Sequence, residues 1–260
     1  MIKLGYNINM KQRYNKLAAQ FYDLGKKTQD VKFYYNYAKK IEGEVLEVGC
    51  GTGRVATYLA QRGIPVTGLD NSQHTIDQSK IKCRKARCKN SLVFIKADAK
   101  NFKLNKKFKL IIMPFRVFQC FLTIKDQRAV LKNIKKHLAK DGKLIFDVYY
   151  PNPKILNDFS GKENVVGIFP HNKQKILKTY INNKIDQKKQ ITTTEIRYYR
   201  KGKTNNILLA KNTIKMKYFY KKEMQDLLKS EKFKIEKIYS DFVSKKFKPG
   251  KEMIFVCKKS

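Results

Sequence analysis

Val45-Leu-Glu-Val-Gly-Cys-Gly-Thr-Gly-Arg54 is the stretch that decides the fold of this chain. A short apolar strand carrying one acid runs into a loop in which every second residue is glycine, and a helix-like stretch follows. Glycines in that rhythm permit positive backbone angles and let backbone amides approach a nucleotide-like ligand with no side chain in between. About twenty residues later, Val66-Thr-Gly-Leu-Asp70 ends a second strand in an acid, where an open α/β sheet hydrogen-bonds the ribose of a bound nucleoside. A glycine loop alone is weak evidence. Here the strand before it, the helix after it and the spaced acid agree.

Outward from that loop the pattern alternates. It predicts strands over 44–48, 65–70, 91–96, 108–113 and 143–149, with helices over 53–62, 72–87 and 125–140. Continuous apolar runs such as Leu110-Ile-Ile-Met113 suit strands covered on both faces, so the expected architecture is α/β, a doubly wound and mostly parallel seven-stranded sheet. Such sheets bind ligands beyond the carboxyl ends of their strands, where Glu47, Asp70, Asp98 and Met113 fall.

Upstream, residues 1–43 read as helical and aromatic, with Tyr14, Leu17, Ala18, Phe21 and Tyr22 forming one stripe at helical spacing. After Pro151-Asn-Pro153 the alternation stops. Residues 175–220 hold runs rich in β-branched and aromatic residues, broken by the turn signal Lys201-Gly-Lys-Thr-Asn-Asn206. They read as an antiparallel insertion of about three strands. Residues 221–231 return to helix, and two final strands restore the sheet. The expected organisation is an N-terminal helical segment (1–43), an α/β core (44–150), an antiparallel β insertion (151–220) and a C-terminal helix and strand pair completing the core sheet (221–260).

Dinucleotide sites place glycines as G-x-G-x-x-G, whereas Glu47-Val-Gly49-Cys-Gly51-Thr-Gly53 reads E-x-G-x-G-x-G. That run resembles motif I of class I S-adenosylmethionine (SAM) methyltransferases, which have a Rossmann-like fold. Lys96-Ala-Asp98-Ala99 resembles the family's adenine-edge segment, and Phe108-Lys-Leu-Ile-Ile-Met113 its fourth strand. Leu138-Ala-Lys-Asp-Gly142-Lys-Leu-Ile-Phe-Asp147 resembles the following helix-turn-strand segment, with Asp141 where the first of two glycines often stands. The resemblance implies SAM as cofactor. It places Glu47, Gly49, Cys50, Gly51, Thr52 and Gly53 at the methionine portion, Asp70 at the ribose, Asp98 with Ala99 at the adenine, and Asn71 at either the ribose or the adenine. Met113 would end the fourth strand beside the donor, and residues 1–43 would form a helical lid from which Tyr14 and Tyr22 lie over it, although core packing serves that stripe equally well. The insertion over 151–220 would form the acceptor pocket.

Met113-Pro-Phe-Arg-Val-Phe-Gln119 lacks the Asn-Pro-Pro-Tyr or Asp-Pro-Pro-Tyr tetrad of base-amino methyltransferases. It is similar to a stretch in small-molecule methyltransferases related to the glycine and amino-sugar N-methylating enzymes. Phe115 and Phe118 then become acceptor contacts, or core filling, and Arg116 an anchor for an anionic acceptor, or a solvated cation. Methyl transfer from a sulfonium starts from an activated leaving group, so positioning and water exclusion do most of the work and no triad or metal is required. A general base, where the acceptor needs one, would come from a histidine or a carboxylate. His74 and His137 fall away from the methyl position, which leaves His171 and Glu195 as candidates beside Arg116.

The formal charge of +37, from 58 basic and 21 acidic residues, would attract any polyanion. Lysine dominates over arginine, and arginine is the residue of bidentate base and phosphate contacts. A small-molecule acceptor is therefore the first reading, RNA modification through the lysine-rich surface the second, and a non-catalytic SAM-binding scaffold the third. No apolar run reaches the length of a membrane span, and five cysteines without a metal-site spacing fit reduced thiols in a cytoplasm. The acid-poor start also has the character of an organelle leader. Oligomeric state does not follow from the residues.

Overall fold

A computed structural model describes residues 15–25, 29–88, 91–250 and 252–260. The helices are α1 (Lys16–Phe21), α2 (Gln29–Ala38), α3 (Arg54–Ala60), α4 (Gln73–Lys85), α5 (Ile124–His137), α6 (Pro153–Asn157) and α7 (Lys221–Ser230). The core strands are β1 (Val45–Val48), β2 (Val66–Asp70), β3 (Leu92–Lys96), β4 (Phe108–Met113) and β5 (Leu138–Tyr149). The inserted strands are β6 (Glu163–His171), β7 (Gln174–Asp186), β8 (Ile191–Arg200) and β9 (Ile207–Lys217), and β10 (Phe233–Tyr239) and β11 (Glu252–Lys259) close the chain.

The larger sheet has the order β10-β11-β5-β4-β1-β2-β3. Strands β1 to β5 run parallel, β11 pairs antiparallel with β5, and β10 antiparallel with β11. The chain winds outward to one side from β1 through β2 to β3, then crosses to β4 on the other side. The glycine loop after β1 therefore stands at the switch point, where diverging crossovers open a crevice. Alternate residues of each strand feed opposite cores. Leu46, Val48, Ile111 and Met113 join α5 and α7 on one face, while Val45, Leu110 and Ile112 join α2 and α3 on the other. A residue period of two in a two-sided sheet produces this division, and it is why these strands read as unbroken apolar runs.

Two local readings change. The helix expected to reach residue 140 ends at His137, and β5 starts at Leu138, opposite Phe108, with a register shift before Leu110 pairs with Lys143. At that crossing a Cβ on Gly142 would lie 2.8 Å from the Phe108 carbonyl oxygen, so glycine is required by close approach. The insertion has four strands, ordered β6-β7-β8-β9, where three were expected. β6 escaped because it does not alternate: Val165, Val166 and Ile168 are all exposed, and the register shifts between Val165 and Gly167.

Among the described residues, a helix packs on one face of the four-stranded sheet. Ile176, Tyr198 and Ala210 bury against Ala18 and Phe21 of α1. Buried Lys178 donates from Nζ to the Leu24 carbonyl at 2.7 Å and ties the sheet to the segment after that helix. Gln119 makes the second tie, donating to the Lys217 carbonyl at 2.9 Å while its oxygen accepts from the Tyr149 amide at 3.0 Å. No helix among the described residues is long and apolar enough to cross a membrane.

Candidate active site

The three glycines of the loop do different jobs. All adopt left-handed backbone, with φ of 73° at Gly49, 55° at Gly51 and 73° at Gly53. A Cβ on Gly49 would lie 2.5 Å from Val117, and one on Gly53 would lie 2.6 Å from Phe94. Those two serve packing as well as turn geometry. A Cβ on Gly51 would meet only the Tyr22 ring, at 3.6 Å, and would otherwise enter the cleft. Gly51 is thus the position at which the loop's backbone is left open to a ligand.

Asp70 ties the loop to its neighbour. One carboxylate oxygen accepts the Gly51 amide at 2.9 Å, and the other accepts the Ser72 amide and the Thr75 hydroxyl, both at 2.9 Å. Ser72 itself caps α4, accepting from the Thr75 amide. The acid at the end of β2 therefore fixes both the glycine loop and the start of the next helix. A carboxylate has about four lone-pair directions, so one remains for a ligand hydroxyl.

Glu47, at the end of β1, lies in the floor of the cleft and is 2% exposed. Burial pushes its carboxyl up to about 8, against the opposing pull of the Arg54 guanidinium. Among the described residues its Oε2 has no hydrogen-bond partner. A buried, unsatisfied acid aimed at the cleft costs stability unless something else satisfies it. The cleft is bounded by Tyr22, Gly49, Cys50, Gly51, Thr52, Arg54, Pro114 and Phe115. Burial raises the Cys50 thiol well above its usual range, which leaves it a small neutral filler.

The contacts of the N-terminal helices were not legible in the sequence. Asp23 accepts from the Thr52 hydroxyl at 2.7 Å and pairs with Lys82, so the segment after α1 is latched to the glycine loop and to α4. From α2, Asp30 pairs with Arg54 through both guanidinium nitrogens. That guanidinium in turn lies 5.5 Å from the Phe115 ring centroid.

The remaining expected residues divide. Tyr22 borders the cleft, whereas Tyr14 lies outside the described residues. Asn71 is exposed beside Asp70. Asp98 accepts the Lys100 amide at 2.9 Å, and the Ala99 carbonyl accepts from Asn133 at 3.2 Å, so both sit in a pinned turn after β3. Met113 is fully buried in the core and offers the cleft no side chain. Phe118 is not an acceptor contact. The short 3-10 turn Val117–Cys120 rotates it inward against Phe121, Phe146 and Phe219, and it is 0% exposed. Phe115, 47% exposed, is the ring that faces the cleft.

Arg116 is not a free anion anchor. It pairs with Glu252 at the start of β11 and lies over the Tyr149 ring at 5.5 Å. Glu195 is not a free base: it pairs with Arg197 and Lys211, in a cross-strand row with Ile181 and Thr213, on the face of the small sheet turned away from α1. His171 keeps the inner face, its ring edge-on to Phe21 at 5.1 Å. His137 is structural, donating from Nδ1 to the Asn133 carbonyl at 2.9 Å, accepting the Leu104 amide at Nε2 and stacking on Phe102.

The residue that sequence reasoning passed over is Asp147. It is the acid near the carboxyl end of the apolar run Leu144-Ile-Phe-Asp-Val-Tyr149, as Glu47 and Asp70 are near the ends of β1 and β2, and that repetition was the available signal. It is 1% exposed, and burial, reinforced by Glu252, pushes it up to about 7. Its carboxylate accepts the Tyr34 hydroxyl at 2.6 Å, the Phe115 amide at 2.8 Å and the Arg116 amide at 2.9 Å. Phe115 and Arg116 both stand in left-handed backbone, at φ 60° and 64°. For side chains with a Cβ that conformation costs about 1–2 kcal/mol per residue, so the turn persists because something outside it holds it.

Residues 45–142 match the family model described as a methyltransferase domain. Among curated relatives, a putative methyltransferase of Bacillus subtilis is 25% identical over 109 residues, covering 42% of this chain and 43% of the relative. The chain therefore spans less than half the length of such relatives. Solved structures align along nearly its whole length. The CcbJ methyltransferase of Streptomyces caelestis has a TM-score of 0.79 at 18% identity, covering 96% of this chain and 99% of that one. The sugar N-methyltransferase KedS8 of a Streptoalloteichus species has a TM-score of 0.72 at 14% identity, covering 92% and 90%. The second sheet is thus part of a shared fold, and within it residues 45–142 are the part that matches the family described as a methyltransferase domain.

Proposed function

We propose that this chain transfers a methyl group from SAM to a nitrogen or oxygen of a small-molecule acceptor. The observation that carries the reading is Gly51: a left-handed glycine whose missing side chain opens the switch-point crevice, its amide fixed by Asp70. The residues suit a nucleoside with a cationic sulfur and a zwitterionic tail. Asp70 has a lone pair left for a ribose hydroxyl, Asp98 and Ala99 stand at the next strand end for the adenine, and Glu47 offers an unsatisfied oxygen from the floor. When bound, SAM supplies an already activated methyl group. The chain then has to hold the acceptor in line with the carbon–sulfur bond and keep water out, for which Tyr22 and Phe115 flank the loop.

Likeness to a sugar N-methyltransferase favours an amine on a compact polar acceptor, and so does the absence of a nucleic-acid tetrad after β4. In this reading the helices before residue 44 and the four-stranded sheet form the two walls of the acceptor side. His171 is the remaining candidate base, because it alone of the proposed groups lies on the inner face of that sheet without a carboxylate or ion-pair partner described for it.

The test is calorimetric. SAM and S-adenosylhomocysteine (SAH) should bind, and NAD should not. Asp70→Ala removes a charge-assisted hydrogen bond worth about 1.5–3 kcal/mol and should weaken SAH binding roughly tenfold to hundredfold. Thr75→Val, which leaves the carboxylate and its bond to Gly51 in place, should weaken it far less. Equal affinity in wild type and Asp70→Ala would remove Asp70 from the site.

A further inference from the structure

We infer that Asp147 is a positioning residue: its carboxylate holds the Phe115-Arg116 turn in its left-handed form and so sets the Phe115 ring against the cleft beside the glycine loop. The inference rests on the cleft being a methyl-donor site, and it goes beyond that reading by naming the group that fixes the acceptor-side wall.

Three donors converge on one buried carboxylate from two elements. Tyr34 comes from α2, and the amides of Phe115 and Arg116 come from the turn after β4. One oxygen accepts from Tyr34 and Phe115, the other from Arg116, so both oxygens are committed. The two amides belong to successive residues that do not adopt left-handed backbone without support. The charged and titratable groups facing the carboxylate are Tyr34 from α2, Arg116 from the turn and Glu252 from β11, and Asp30 of α2 acts on the Tyr34 hydroxyl. Tyr34 and Arg116 favour the carboxylate, whereas Glu252 opposes it.

The geometry passes from Asp147 to the cleft through Phe115. The ring is half-exposed, borders the cleft with Gly49 and Gly51, and carries the Arg54 guanidinium at 5.5 Å. Arg54 is in turn held by Asp30 of α2, the helix that also supplies Tyr34. Asp147 and Asp30 thus fix the aromatic wall from below and from the side, and α2 is common to both. When Asp147 is protonated, the carboxyl loses its charge and the oxygen that carries the proton becomes a weaker acceptor for the N–H facing it. The hold on the turn then weakens, and Phe115 is released from the cleft.

The chain contains no tryptophan, so Phe115→Trp places a single selective fluorophore on the wall. In that protein, acrylamide quenching of the introduced indole should be low at pH 8.5 and rise at least twofold as pH falls through about 7, the range to which burial raises Asp147. With Asp147→Asn added, quenching should be high at every pH, because the amide nitrogen cannot accept from a backbone N–H. Should Asp147→Asn fail to fold, Tyr34→Phe provides the check. Losing a bond that favours the carboxylate should move the quenching midpoint to higher pH. Quenching that is low and independent of pH in Asp147→Asn, or an unmoved midpoint in Tyr34→Phe, overturns the inference. SAH binding is measured by calorimetry in the unsubstituted chain. If SAH does not bind it, the donor-site reading fails, while the quenching data still decide whether Asp147 holds the turn.

Discussion

The seven-stranded sheet is covered by helices on both faces, whereas the four-stranded sheet is packed on one face and carries ion pairs and exposed Ile168 and Leu208 on the other. In the first, functional geometry is made by backbone: glycines in left-handed conformation and acids at strand ends. In the second it depends on which face each side chain takes, and the register turns Glu195 away from the face packed on α1. A site built on backbone at a doubly covered sheet is rigid and separable from the core. One built on side chains of a half-covered sheet shares its residues with the fold.

Phe118 tests whether the core beneath the site is as separate from the ligand edge as this contrast implies. Phe118→Ala removes a fully buried ring packed on Phe121, Phe146 and Phe219 and should lower unfolding free energy by about 3–5 kcal/mol in urea titrations. SAH affinity, measured where the variant is fully folded, should stay within about threefold of wild type. A loss of binding matching the loss of stability would show that Phe118 acts on the cleft after all, as its sequence neighbourhood had implied.

Gly51→Val should produce the opposite pattern. The branched side chain enters the space between the loop and Tyr22 at a φ of 55°, which costs about 1–2 kcal/mol of backbone energy. SAH binding should weaken more than about a hundredfold, equivalent to about 2.7 kcal/mol, with circular dichroism unchanged. Gly49→Val and Gly53→Val would be poor substitutes, because their side chains strike Val117 and Phe94 and disturb packing directly. Retained binding in Gly51→Val would reduce the loop to a strand-to-helix turn.

These two residues also show where the sequence was legible. Gly51 and Asp70 were readable because the constraint on each is local or recurs at a fixed spacing: a turn that only glycine enters freely, and a strand end beside a switch point. Phe118 was left between acceptor contact and core filling because Phe115 and Phe118 occupy one loop, and only the short turn between them decides which ring faces in. Asp147 was missed because its partners Tyr34 and Phe115 are distant in sequence and neither carries a signal of its own. β6 was missed because an edge strand with a register shift and exposed valines has no period to read.

The smallest effect concerns the lysines of the half-covered sheet. Lys201, Lys203, Lys211 and Lys215 are all exposed, and of the four only Lys211 has an ion-pair partner described, Glu195 at 3.8 Å. Exposed pairs of that kind contribute about 0–1 kcal/mol, and isolated exposed charges less. Reversing all four to glutamate should therefore leave SAH affinity within about twofold and thermal stability nearly unchanged. Non-specific RNA binding should weaken, with a shallower dependence on salt, since each phosphate contact removed lowers the slope by about 0.7–0.9. If the surface is only a solvated face, methyl transfer to a small acceptor survives the four reversals. Should purified RNA accept labelled methyl groups from the wild-type chain and not from the reversed one, the acceptor is RNA, and the outer face of the four-stranded sheet, not its inner face against α1, is where the acceptor is held.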